Sequence, residues 1–156
     1  MIDFNAQNKQ AIAKILERYP TKQAALLPVL WVAHAQFGWI SEEVMQLVAQ
    51  TLAISPAHVY GVVTFYTMYQ RKPVGRHHLQ LCRTLSCAML GGESLLCHLK
   101  EKLKIQEGET TPDGRFTLSL VECLASCGTA PAMRVNETYH ENLTVEKVDE
   151  MLEKLK

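Results

Sequence analysis

The sequences Cys82-Arg-Thr-Leu-Ser-Cys87 and Cys123-Leu-Ala-Ser-Cys127 hold four of the five cysteines of the chain and are separated by residues 88–122. The N-terminal ten residues lack the basic flank and the long apolar core of a signal peptide, so we expect a reducing compartment, where thiols serve chemistry or metal binding. Neither pair has the C-x-x-C spacing of dithiol oxidoreductases. The two pairs therefore indicate one metal centre, either a four-thiolate zinc site or a [2Fe-2S] cluster.

The long interval between the pairs favours a folded α/β domain. Zinc ribbons usually have about 15 to 20 residues between their pairs, whereas residues 88–122 leave room for a helix and a strand. His78-Leu-Gln-Leu-Cys82 predicts a short strand that ends on the first cysteine, and alternation from Phe116 to Val121 predicts a second strand that leads to Cys123. Between them, four leucines at helical spacing predict a helix: Leu95, Leu96, Leu99 and Leu103.

The order of the predicted elements explains how two distant cysteine loops can meet. After the second loop, the sequence predicts strands at residues 132–135 and around Tyr139, and then a helix capped by Thr144. If the first two strands are parallel, their helical connection is a right-handed crossover. Both cysteine loops then leave the same end of the sheet, which is the usual location of a site in an open α/β sheet.

The N-terminal part of the sequence predicts a bundle of four short helices. Tyr19-Pro20 ends the first helix, a second runs from about Gln23 to Phe37-Gly38, and Ser41-Glu-Glu and Ser55-Pro56 begin the third and fourth. The composition changes abruptly at residues 71–78, where cations and turn formers return. We therefore expect two domains, a helical bundle at residues 1–72 and an α/β domain at residues 73–156.

Composition indicates a globular protein with an unusual distribution of charge. The chain has 156 residues, 47% of them hydrophobic and 21% charged, with a formal net charge of zero. No apolar run approaches the roughly 18 residues of a membrane span, so we expect no membrane insertion. Residues 23–70 contain no Lys or Arg, and their only acids are Glu42 and Glu43. A helical region with so little charge is a candidate docking surface.

Several motifs together resemble a known family. The run Val121-Glu-Cys-Leu-Ala-Ser-Cys-Gly-Thr-Ala-Pro131, with Gly108-Glu-Thr-Thr-Pro-Asp-Gly-Arg-Phe116 before it and the Cys82 pair further upstream, is similar to the thioredoxin-like [2Fe-2S] small subunit of the NADH-oxidising module of bacterial respiratory complex I. Gly38-Trp-Ile40 and Val59-Tyr-Gly-Val-Val-Thr-Phe-Tyr66 resemble the N-terminal bundle of that family. One departure is Ala125, where the family commonly has glycine.

The resemblance implies a fold, a cofactor and a partner. The fold is α/β, a helical bundle followed by a thioredoxin-like [2Fe-2S] ferredoxin domain with a mixed sheet. Cys82, Cys87, Cys123 and Cys127 are implied to bind one [2Fe-2S] cluster. The implied function is one-electron transfer in NADH:quinone oxidoreductase, in the cytoplasm and in the peripheral arm of that membrane-bound complex. NADH and FMN are expected on a partner flavoprotein subunit only, because this sequence has no motif for either.

Reduction of such a cluster adds negative charge, which nearby donors must stabilise. We expect the hydroxyls of Thr84, Ser86, Ser126 and Thr129 to be candidate donors to the sulfurs, and Arg83 and Arg134 to be candidate positive charges. Cys97 lies about 145° from the apolar stripe of its predicted helix and is interpreted as a free thiol that faces away from the core. His77 and His78 are expected to be surface residues at the linker.

Three alternatives remain at this point. Related subunits serve NAD-reducing hydrogenases and NAD-dependent formate dehydrogenases. A DNA-binding redox sensor is suggested by the helix-turn-helix pattern of residues 48–60, but residues 56–69 contain no Lys or Arg to contact phosphates, so no nucleic-acid partner is expected. A zinc-stabilised interaction module would be colourless, whereas a [2Fe-2S] protein is reddish brown.

Overall fold

The computed structural model describes residues 2–155 and divides the chain into two compact units between Pro73 and Val74. We propose that these units are the two domains, which moves the boundary from residue 72 to residue 73. The N-terminal unit consists of helices whose bounds are α1 Ala6–Arg18, α2 Leu26–Phe37, α3 Glu42–Leu52 and α4 Pro56–Phe65.

Local sequence signals explain where these helices begin and end. The side chain of Asn5 accepts a hydrogen bond from Asn8 N, and that of Ser41 accepts one from Val44 N, so both residues cap orphan N–H groups. Gly38 ends α2 in the left-handed region at φ 78°. The apolar faces of the four helices share one core, and Tyr69 Oη closes it by donating to the Leu27 carbonyl oxygen at 2.9 Å.

The C-terminal unit is built on a mixed four-stranded sheet, in agreement with the expected fold class. Its strands are β1 His77–Cys82, β2 Phe116–Val121, β3 Met133–Val135 and β4 Thr138–His140. The strand order is β2-β1-β3-β4; β1 and β2 are parallel, and the β1–β3 and β3–β4 pairs are antiparallel. The predicted parallel pair is therefore confirmed, and Cys82 lies directly opposite Val121. Both cysteine loops thus begin at one edge of the sheet.

Three helices and a π-type turn complete the C-terminal unit. The connection between β1 and β2 consists of a one-turn helix α5 at Leu85–Cys87, a π-type turn at Ala88–Gly92 and helix α6 at Glu93–Leu103. The last helix, α7, runs over Val145–Lys154, and Thr144 caps it by accepting from Lys147 N. The sequence predicted α6 and α7 but not the short helix and the π-type turn. That segment bends the chain between the first cysteine pair and α6, with Gly91 at φ 101°.

The two faces of the sheet differ in chemistry. Leucines and other apolar residues at alternate positions form the core with α6 and α7. On the other face, His78 Nε2 lies 2.8 Å from Ser119 Oγ, and Arg134 Nε donates to Gln80 Oε1 at 2.9 Å. The expectation that His78 is a surface residue is wrong, since only 7% of it is exposed. Burial, assisted by the Arg134 charge, lowers the pKa of His78 to about 4, so its ring is neutral at pH 7.

The other sequence expectations about histidines and membrane insertion have simple outcomes. His77 is half-buried, with its ring 5.5 Å from the ring of Phe116, so it is also not a free linker residue. His34, which the sequence places on the apolar stripe of its helix as a packed residue, is partly buried beside Trp31, with 5.7 Å between ring centroids. Within residues 2–155 we find no helix whose length and apolar character would let it traverse a lipid bilayer.

Candidate metal centre

Two strand ends bring the four predicted cysteines to one place. Cys82 is the last residue of β1, and β2 ends two residues before Cys123. The loops are joined by backbone hydrogen bonds, since Arg83 N donates to the Val121 carbonyl oxygen at 3.0 Å and Cys82 N to that of Ala132 at 3.1 Å. All five cysteines lie among the described residues and are free thiols.

The thiols form an inner pair and an outer pair. Cys82 and Cys87 are each 2% exposed and pack with Ala132, Leu124 and Ala130. Cys123 and Cys127 are exposed, with their Sγ atoms 3.8 Å apart. The two pairs interact electrostatically, since Cys82 acts to raise the pKa of Cys123 and Cys127 acts to raise that of Cys87. The site therefore has a buried side and a side open to solvent.

Hydrogen bonds make two of the thiols easier to deprotonate. Burial raises the pKa of Cys82. The hydroxyl of Thr84 and the backbone N–H groups of Thr84 and Leu124 lower that pKa by more than burial raises it, so the net pKa is below its ordinary value. The pKa of Cys123 is lowered, chiefly by the Ala125 N–H, which donates to Cys123 Sγ at 3.3 Å. Burial raises the pKa of Cys87. Because metals bind thiolates, these donors favour the ligand form at two positions.

The spacing of the outer sulfurs fits two thiolates bound to the same tetrahedral metal ion. For a metal–sulfur bond of about 2.3 Å, tetrahedral coordination places two thiolates about 3.8 Å apart. Cys123 and Cys127 have this separation. Within residues 2–155, no three His, Cys, Asp or Glu side chains are grouped closely enough for one metal ion. A [2Fe-2S] cluster has two metal ions and is held by four thiolates, so two cysteine pairs supply a donor set of the right number and chemistry for it.

The hydroxyls expected to donate to sulfur have different partners. Thr84 Oγ1 lies 3.3 Å from Cys82 Sγ and also interacts with Cys123, so it links the two loops. The expectation is wrong for Thr129 and Ser126, whose hydroxyls bind the carboxylate of Glu141. No hydrogen bond joins Ser86 to a sulfur among the described residues. Sequence reasoning did not identify Glu141, because it follows β4 and no local pattern connects it with the cysteines.

The two arginines also differ from the expectation. Arg83 Nε lies 3.8 Å from Glu122 Oε1, and both side chains are exposed, so the carboxylate offsets this positive charge. Arg134 is held on the sheet by Gln80. Cys97 is exposed on α6, as expected for a thiol that faces away from the core.

A further residue missed in the sequence is Gly92, which is buried against the first cysteine loop. A Cβ atom built there would lie 2.7 Å from the carbonyl oxygen of Cys87 and 3.6 Å from that of Cys82. Any residue can adopt its φ of −56°, so backbone conformation does not require glycine at this position. Glycine is required because there is no space for a side chain. The Gly91-Gly92 pair is the sequence signal that could have revealed this close approach.

Ala125 occupies a left-handed backbone conformation at φ 60°. Since this conformation strains a residue with a Cβ atom by about 1 kcal/mol, we expect Ala125→Gly to raise the free energy of unfolding of the metal-free protein. The gain should be a few tenths to about 1 kcal/mol, because glycine also makes the unfolded chain more flexible. Urea denaturation measures it. As a control, Ala130→Gly should lose stability, since φ there is −66°; equal losses in both variants would refute the strain argument.

The sequence of this chain is similar to those of known proteins. Residues 12–156 match the family model described as thioredoxin-like [2Fe-2S] ferredoxin. An NADH-quinone oxidoreductase subunit of Rhizobium meliloti (strain 1021) is 45% identical over 145 residues, which cover 93% of this chain and 86% of the relative. The NADH-quinone oxidoreductase subunit 2 of Thermus thermophilus is 42% identical, with 96% and 84% covered.

A solved structure shows the same fold at lower identity. The NAD+-reducing [NiFe]-hydrogenase in the air-oxidized state superposes with a TM-score of 0.69 at 21% identity, over 81% of this chain and 22% of that chain. The family match spans most of the chain, and relatives above 30% identity are covered over most of their length. This chain therefore belongs to the thioredoxin-like [2Fe-2S] ferredoxin family.

Proposed function

We propose that the chain is a one-electron carrier subunit of NADH:quinone oxidoreductase, in which Cys82, Cys87, Cys123 and Cys127 hold one [2Fe-2S] cluster. The convergence of four free thiols at one sheet edge is the observation that supports this most directly. Relatives named as NADH-quinone oxidoreductase subunits also support it. When bound, such a cluster accepts and releases single electrons.

The residues of this chain perform three tasks in that role. The inner pair, Cys82 and Cys87, anchors the cluster on the buried side, where Ala132 and Leu124 exclude water. The outer pair leaves one side accessible to a redox partner. The N–H groups of Leu124 and Ala125 point to sulfurs and stabilise negative charge, because they are fixed dipoles that need not reorganise when an electron arrives.

The proposed partner is the flavoprotein subunit that binds NADH and FMN, in the peripheral arm of the same complex. Large apolar side chains are exposed in and beside the charge-poor region of residues 23–70, which supports a docking role. Four of them are Trp31, Tyr60, Phe65 and Tyr66. A host complex of the hydrogenase type is the second candidate, because a NAD+-reducing hydrogenase shares the fold. Identifying the flavoprotein that binds this chain distinguishes the two hosts.

The cluster is tested by purifying the protein under anaerobic conditions and analysing its metal. We expect about two irons and two sulfides per chain, a reddish-brown colour, and an EPR signal at low temperature that appears only after reduction by one electron. A colourless protein with one zinc ion would refute the proposal.

Thr84→Val is expected to lower the reduction potential. The Thr84 hydroxyl contacts sulfurs of both loops, and a hydrogen bond to sulfur favours the more negative, reduced state. Valine keeps the shape and removes the donor. We expect the ratio of reduced to oxidised cluster at a fixed potential to fall roughly tenfold, which is a shift of about 59 mV for a one-electron couple. Redox titration followed by EPR measures this shift; Ser86→Ala, in the same loop, should cause none, and an equal shift in both would contradict the assignment.

Phe65→Ser is expected to weaken binding to the flavoprotein subunit without affecting folding. Phe65 is 76% exposed, so the change removes little packing within this chain. Loss of an aromatic anchor at an interface typically weakens binding about tenfold, which calorimetry with the separately expressed partner would measure. Tyr139→Ser, an exposed aromatic in the other unit, is the matched control. Equal affinities of wild type and both variants would exclude this docking surface.

A further inference from the structure

Glu141 is brought to the second cysteine loop by the β3–β4 hairpin. Met133, at the start of β3, pairs with His140, at the end of β4. The chain enters β3 from the loop that contains Cys127, so the residue that leaves β4 returns to that loop. Two backbone hydrogen bonds fix this return: Asn142 N donates to the Thr129 carbonyl oxygen at 2.7 Å, and Leu143 N to that of Pro131 at 3.1 Å.

The carboxylate of Glu141 binds the loop through two hydroxyls. Thr129 Oγ1 donates to Glu141 Oε1 at 2.7 Å, and the hydroxyl of Ser126 also donates to this carboxylate. These hydroxyls flank Cys127, one on each side in the sequence. A hydroxyl has one proton to donate. While these protons point to Glu141, neither hydroxyl donates to a cluster sulfur.

The charge of Glu141 is retained at neutral pH. Hydrogen bonds from Thr129 and then from Ser126 lower the pKa of Glu141 below its ordinary value, although the residue is exposed. A negative charge near a cluster that becomes more negative on reduction opposes that reduction. Exposure to solvent screens the effect and limits its size.

From these contacts we propose that Glu141 is a positioning residue that holds the loop of Cys127 in place and keeps the reduction potential of the bound cluster low. It acts through its charge and by drawing the Ser126 and Thr129 protons away from the sulfurs. The redox part of this inference rests on the proposed function. The structural part concerns the loop alone and holds in the metal-free protein.

Redox titration of the loaded protein tests the first part. Glu141→Gln removes the charge in a side chain of the same size, so we expect the ratio of reduced to oxidised cluster at a fixed potential to rise about threefold, which is about 28 mV for a one-electron couple. Glu137→Gln removes the same charge at the opposite end of the hairpin and is expected to leave the ratio unchanged. Thr129→Val removes one hydrogen bond to Glu141 but keeps the Glu141 charge, so it should also leave the ratio of reduced to oxidised cluster unchanged.

Hydrogen exchange of the metal-free protein tests the second part. We expect Glu141→Ala to accelerate exchange of the Thr129 and Asn142 amides about tenfold, because local opening of the loop becomes easier. Glu137→Gln should exchange like the wild type. If the wild type binds no iron, the proposed function fails, and the exchange rates still decide whether Glu141 holds the loop. An unchanged reduction potential in Glu141→Gln would overturn the electrostatic role. Unchanged amide hydrogen exchange in Glu141→Ala would overturn the positioning role.

Discussion

Cys87→Ser is expected to abolish binding of the iron-sulfur cluster, with iron and sulfide falling from about two each per chain to near zero. Cys87 lies in the buried pair, 2% exposed. A serine hydroxyl has a much higher pKa than a thiol, and an alkoxide would be costly to form at a position shielded from water. One iron would then have a single protein thiolate from this pair. Visible absorption, iron and sulfide analysis and EPR of the reduced protein measure the loss.

Cys97→Ser is the matched control, because it makes the same chemical change on an exposed helical position. Cys97 lies on α6 and is a free thiol. We expect this variant to contain as much iron and sulfide as the wild type. Equal loss in both variants would contradict the assignment of Cys82, Cys87, Cys123 and Cys127 as the ligand set.

Gly92→Ala is expected to destabilise the C-terminal unit and to accelerate loss of the cluster. The new Cβ atom would lie 2.7 Å from the carbonyl oxygen of Cys87, which is closer than real Cβ contacts occur. Relief requires movement of the backbone at Cys87, a proposed ligand. Overpacking of this kind typically costs 1 to 3 kcal/mol, so we expect the free energy of unfolding to fall by about 2 kcal/mol. Urea denaturation and the rate of iron release to a chelator measure the two effects.

Gly61→Ala, the same substitution at another position, is expected to raise the free energy of unfolding. Gly61 lies within α4, is exposed, and has no atom within 4 Å of a built Cβ. Alanine in a helix interior is favoured over glycine by about 0.5 to 1 kcal/mol, so this variant should gain stability. If Gly92→Ala also gained stability and retained the cluster, the close approach of Gly92 to the cysteine loop would not constrain the fold.

The helices and strands were largely predictable because their signals are local. The start of α3 depends on Ser41, whose side chain caps Val44 N. Pro56 is the first residue of α4, as predicted, although the Ser55 side chain makes no capping hydrogen bond. The alternation at residues 116–121 corresponds to β2. The π-type turn at Ala88–Gly92 was not predicted, although the Gly91-Gly92 pair is a local signal, because its departure from helical φ/ψ is confined to Leu90 and Gly91 within an otherwise helical segment.

The surroundings of the four cysteines were less predictable than the convergence of the two cysteine loops. His78 is expected at the surface because it follows a linker, yet pairing of β1 with β2 places it beside Ser119. The hydroxyls of Ser126 and Thr129 were expected to face sulfur, and they face Glu141. In both cases a partner distant in sequence decides the direction of a side chain.

The sequence by itself determined the helix and strand pattern and the placing of cysteine pairs after two strands, because periodicity, capping and spacing act over a few residues. Its motifs also resemble those of the family to which the chain belongs. Only the tertiary structure decided which thiols are buried, that Thr84 links both loops, that Gly92 has no room for a side chain, and that Glu141 binds the loop of Cys127. These properties arise when segments far apart in the chain pack together, and hydrogen-bond partners and free space are then set by the neighbouring segment.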